Sequence, residues 1–196
     1  MNSWITSKEI HDSCLKLAGI FLQENVEMPA LVMNDGVKLI GFADECTARQ
    51  SNVFYKQFIK FMSLIEESNF YFIWLPDGLK PFDYDNEYPI YFCDSIPVEG
   101  KDFVRLQSND DEEAFYSNAW ILLSSSKNWA IYGEQYGSEM AILLSRDNLS
   151  TNAMLSSFPE LIREPQEALI SIANQYCSEE SASFENEFLK NYLIQE

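Results

Sequence analysis

Histidine and basic side chains are what this sequence has least of. His11 is the only histidine, and 13 lysines and arginines face 31 acidic residues, for a formal charge of −18. So few cations leave little to release counterions from a phosphate backbone, and the same field opposes an anionic membrane. Neither nucleic acid nor membrane is therefore expected as a partner; a basic protein is what such a surface attracts. The four cysteines, Cys14, Cys46, Cys93 and Cys177, stand far apart with no C-x-x-C and no Cys/His pairing, which excludes the common zinc frameworks. Free, mostly buried thiols in a reducing compartment are expected. The start MNSWITSKE carries no basic region followed by an apolar run, so no secretory signal is expected. No uninterrupted apolar stretch approaches the roughly 20 residues needed to cross a bilayer. The expected address is the cytoplasm. Gly133 and Gly137 are not followed by G-K-[ST], so they form no phosphate loop. No cofactor, metal or catalytic group is expected.

What the chain does have is apolar and aromatic mass. Apolar residues make up 46 % of the 196, with 14 Phe, 10 Tyr and 4 Trp, and so many rings stay soluble only when most are packed. One domain is the expectation for this length. Ala119–Leu123, Trp129–Tyr132 and Met140–Leu144 are short apolar runs split by Ser124–Asn128 and Gly133–Glu139. Neither break has room for a crossover helix, so the three runs predict an antiparallel meander that must bury at least one face.

Upstream, Ile10, Cys14, Leu15, Leu17, Ala18, Phe21 and Leu22 recur at three- and four-residue spacing over Thr6–Leu22, which predicts a helix capped by Thr6 or Ser7. His11 on that helix, beside Asp12, is read as a surface or boundary residue, because no nucleophile signature accompanies it. Asn34-Asp35-Gly36 between Val26–Met33 and Val37–Phe42 predicts a hairpin. The Phe/Met stripe of Asn52–Ser68 predicts a second helix whose stripe is core. Asn69–Leu75 reads as a central strand ending at Pro76-Asp77-Gly78, and Ile90–Cys93 as a short one. Arg146–Ser157 reads as a polar loop, and Glu164–Cys177 and Ser183–Leu193 as helices, the first opened by Pro165. The fold class is thus α+β: a single domain, an antiparallel or mixed sheet with a C-terminal three-strand meander, packed by about four helices.

Acidic residues are concentrated in Asp77–Glu113, with eleven acids against Lys80, Lys101 and Arg105. Four readings compete. Calcium chelation by Asp83, Asp85 and Glu87 lacks the loop glycine and late bidentate Glu of an EF-hand at the right offsets. A two-carboxylate hydrolase needs one acid held at raised pKa in a pocket. A docking face for a cationic protein needs clustered carboxylates with ring anchors, which Phe82, Tyr84, Tyr88 and Tyr91 supply. The fourth reading is an ordinary solvated connection. Asp110–Tyr116 has first-turn acids suited to a short helix. Phe158–Glu196 is a second acidic region, of net charge −6, read mostly as the wet face of two helices.

Over Asn118–Leu144 an apolar strand and a Ser-rich turn precede W-A-I-Y-G-E, a polar turn and E-M-A-I-L-L. This segment resembles bacterial immunity proteins of polymorphic-toxin and contact-dependent or secretion-delivered toxin systems. The resemblance implies an acidic α/β or α+β inhibitor that blocks a cognate toxin by stoichiometric binding. The charge pattern places the expected partner-binding surface on Asp83, Tyr84, Asp85, Glu87, Tyr88, Asp94, Glu99, Asp102, Asp110, Asp111, Glu112 and Glu113, helped by Glu134 and Glu139. The alternatives are a small carboxylate-dependent hydrolase and an adaptor domain that binds a basic peptide.

Overall fold

A computed structural model describes residues 3–4, 7–23, 32–43, 51–75, 90–93, 119–134, 141–173 and 181–193. Among the described residues, seven strands form one sheet: β1 Ser3–Trp4, β2 Lys38–Ala43, β3 Phe70–Trp74, β4 Ile90–Cys93, β5 Ala119–Leu123, β6 Trp129–Glu134 and β7 Ala141–Ser145. Their order is β1-β4-β3-β5-β6-β7-β2, and every pairing is antiparallel. The predicted meander is β5-β6-β7, and Asn69–Leu75 contains β3, an interior strand between β4 and β5. Five helices are described: α1 Lys8–Phe21, α2 Ser51–Leu64, α3 Asn148–Ser157, α4 Pro165–Ala173 and α5 Ser181–Tyr192. The fold is α+β.

The helices cover both faces of the sheet. On one face, Ala18 and Phe21 of α1, Ala168 and Leu169 of α4, and Phe188 and Tyr192 of α5 share a buried cluster with Ile121, Leu123, Tyr132, Ile142 and Leu144. On the other, Phe54, Phe58, Phe61 and Met62 of α2 and Ala153 and Met154 of α3 pack on Phe70, Phe72, Trp120, Leu122, Trp129 and Leu143. A strand's side chains alternate between faces, so when both faces are covered the strand must be apolar throughout. That is why AWILL and AILLS carry no polar alternation and are buried at every position of β5 and β7, the single polar side chain being the terminal Ser145. The Phe/Met stripe of α2 is core, as expected. Phe58 stands edge-on to Phe70, and Phe61 to Trp129, each at 5.1 Å between ring centroids.

Three expectations need correction. The arms flanking Asn34-Asp35-Gly36 do not pair with each other where they are described. β2 pairs with β7, while Met33 bridges to Leu22 and the Gln23 N–H donates to the Val32 carbonyl at 2.7 Å. The turn serves the end of α1: the Asn34 amide donates to the carbonyls of Gly19 (2.6 Å) and Leu22 (2.8 Å), satisfying acceptors that a helix C-terminus leaves orphaned. Second, Arg146–Ser157 is not a loop, because 148–157 is α3. Asp147 caps it, accepting from the Ser150 N–H at 2.6 Å, and Ser150, Ala153, Met154 and Ser157 make its buried face. Third, Gly133 is a strand residue and not part of a turn, for the cross-strand Trp120 ring occupies the space where a Cβ would stand, 2.3 Å from Cζ2. Gly41 has a similar reason: a Cβ there would lie 2.7 Å from the Ile162 carbonyl oxygen, where the chain bridges to Phe42 over the edge of β2. At α1, Ser7 holds the expected cap position but makes no side-chain hydrogen bond to the helix.

Candidate functional site

The register of the sheet decides which connections share an end. Trp74 faces Trp120, the Leu75 N–H donates to the Ala119 carbonyl at 2.8 Å, and Ala119 faces Glu134. Gly133 and Ala43 both face Ala141, and Ile90 faces Ile73. One end of the sheet therefore carries the exit from β3, the entry to β4, the entry to β5, the exit from β6 and the entry to β7. Connections 76–89 and 135–140 both leave from and return to this end. Only β5 stands between β3 and β6, the strands that launch them, so with neighbours about 4.8 Å apart the launch points are about 10 Å from each other.

Asp83, Tyr84, Asp85, Glu87 and Tyr88 belong to connection 76–89, Glu139 belongs to 135–140, and Glu134 is the last residue of β6. Asp94, Glu99, Asp102, Asp110, Asp111, Glu112 and Glu113 belong to 94–118. That connection leaves β4 at Cys93, opposite Phe70 at the far end, and enters β5 at Ala119 at the end shared by connections 76–89 and 135–140. The backbone of Glu134 is described; the other expected partner-binding residues, and the short helix expected over Asp110–Tyr116, lie outside the described residues. The shared end follows from strand pairing alone and could not be read from spacing.

The far end of the sheet holds a polar cluster that sequence reading missed. The half-buried Glu67 carboxylate accepts from the Ser124 hydroxyl (2.7 Å), the Ser126 hydroxyl (2.6 Å) and the Trp129 indole N–H (3.1 Å). Ser125 donates to Asn69 at 2.8 Å. These bonds fasten the β5–β6 turn to the segment between α2 and β3. By accepting from three donors on the β5–β6 turn and strand at once, the carboxylate acts as a clamp. The sequence signal was the run of serines at 124–126, but their acceptor lies 57 residues away.

His11, expected at the surface or its boundary, is instead buried at 3 % exposure. Desolvation holds its pKa below the ordinary 6.5, against the opposing pull of Asp12, whose carboxylate is 3.9 Å from Nδ1. Cys14, one turn further along α1, is a buried free thiol that burial pushes up to about 12. It stays protonated at neutral pH and is no nucleophile. Cys46, Cys177 and the Cys93 side chain lie outside the described residues. Among the described residues, no group of three or more His, Cys, Asp or Glu side chains could hold a metal ion, and no helix is long and apolar enough to cross a membrane. The chain matches no family model, no curated protein and no solved structure.

Proposed function

We propose that this chain is an immunity-type inhibitor, a cytoplasmic protein that neutralises a cationic toxin by stoichiometric binding through the acidic, ring-bearing connections at one end of its sheet. The observation that carries the reading is the register, which tethers connection 76–89 and the 134–140 turn to the same sheet end. Connection 76–89 has Asp77, Asp83, Asp85 and Glu87 against Lys80, and the 134–140 turn has Glu134 and Glu139 with no cation. The strands that launch these two acidic segments stand about 10 Å apart, close to the Debye length of about 8 Å at physiological salt, so the sheet tethers both within reach of one approaching cationic face. Opposite charge of this kind raises association rates up to about 10⁸–10⁹ M⁻¹s⁻¹ at low salt. Tyr84 and Tyr88 among the carboxylates supply the amphipathic rings that anchor interfaces.

The test is genetic and biochemical together. A toxin-like domain encoded directly upstream should arrest growth when expressed alone, and co-expression of this chain should restore growth and yield a 1:1 complex. Continued arrest with the chain present at equal amounts, or absence of a complex, would overturn the reading.

A further inference from the structure

At the sheet edge opposite β1, the outer side of β2 ahead of its Phe42–Ile162 bridge borders a cavity of about 560 Å³. Leu39 and Ile40 of β2, Thr151 and Leu155 of α3, and Tyr192 and Leu193 at the end of α5 are among the residues that line it. The volume falls within the roughly 300–1,000 Å³ of small-molecule sites, and the lining has the usual composition of apolar walls with a few polar groups.

The charge of the lining is opposite to that of the chain. Acids outnumber bases 31 to 13 overall, yet among the described residues the charged ones that line the cavity are Lys38 and Arg163. Lys38 Nζ donates to the Asn148 side-chain oxygen at 3.2 Å, a neutral acceptor. Neither cation is paired with a carboxylate among the described residues. Two cations beside an apolar hollow match a ligand with one anionic head and a short hydrocarbon body. The planar guanidinium fork fits a carboxylate by two parallel hydrogen bonds. We infer that this cavity binds a small amphipathic carboxylate, its head on Arg163 and Lys38 and its hydrocarbon against Leu39, Leu155 and Tyr192. The repulsive field of the whole chain is screened within about 8 Å at 0.15 M salt, so at that ionic strength the two local cations govern the head group. The cavity is lined by the start of β2, which pairs with the end of β7, and does not rest on the inhibitor reading.

The experiment is a titration of the full-length, ¹⁵N-labelled protein with octanoate at 0.15 M salt, followed by amide shifts, with 1-octanol and octylammonium as parallel probes. Octanoate should give saturable shifts centred on Leu39, Ile40, Thr151 and Leu155. Octanol should bind at least tenfold more weakly, and octylammonium should not saturate. Arg163→Glu combined with Lys38→Glu should weaken octanoate at least tenfold with the thermal midpoint unchanged. Both side chains are exposed, and Arg163→Gln, expected to weaken octanoate about threefold or more, serves if the double reversal fails to fold. Octanol binding as tightly as octanoate, shifts centred elsewhere, or variants within twofold of wild type would overturn the assignment.

Discussion

Gly133 can carry no larger side chain while Trp120 keeps its place. The ring that blocks it is itself buried, edge-on to Phe54 and stacked on Phe72, so it has nowhere to move. Gly133→Ala should cost about 1–3 kcal/mol as an overpacked core does, read as a drop in thermal midpoint of roughly 2–4 °C per kcal/mol. Glu67→Ala removes the acceptor of two hydroxyls and an indole N–H. It should lower the denaturant midpoint by the equivalent of about 1–3 kcal/mol. His11 gives a pH signature. Because burial holds its folded pKa below 6.5, the unfolded chain takes up the proton first. Its contribution is complete above about pH 6.5 and is lost as pH falls from there through the folded value. His11→Gln should flatten that part of the stability profile measured by urea unfolding between pH 7.5 and 5.5. At this scale the apolar stripe of α2 was legible because core packing follows helical period. The roles of Glu67, Gly133 and His11 were not, since each is set by a neighbour distant in sequence or by burial.

Among the elements, the strands announced themselves and one helix did not. β3, β5, β6 and β7 are apolar runs because both sheet faces are covered, and that same coverage made them easy to find in the sequence. α3 was hidden because NLSTNAMLSS is mostly polar and buries two serines along with Ala153 and Met154. Its start was nonetheless written in Asp147, three residues before the N–H it caps. Asp147→Ala should destabilise by about 0.5–2 kcal/mol, and Asp147→Asn, which keeps an acceptor oxygen, should recover most of the loss in the same melting measurement. The hairpin expected at Asn34-Asp35-Gly36 misled for a different reason. A tight turn specifies a change of direction, but the partner of the following strand was chosen by the long-range match of β2 to β7.

Across the whole molecule, β3 and β5 pair along four residues, so strands from before and after position 118 belong to one sheet. We propose that the chain folds as one unit, in which case circular dichroism and tryptophan fluorescence should report one coincident unfolding transition. Two separated transitions would divide it. The acidic stretch was legible as composition, but the sharing of one sheet end by 76–89 and 134–140 needed the strand order. That shared end carries the inhibitor reading, and kinetics test it most directly. Association with the toxin proposed as its partner should be followed by stopped flow from low salt to about 0.5 M, for wild type and for the variant Asp83→Lys, Asp85→Lys, Glu87→Lys. Wild type should associate fast at low salt and slow steeply as salt rises, while the variant should start at least tenfold slower with a nearly flat salt dependence. Equal rates and equal slopes for the two proteins would contradict the account.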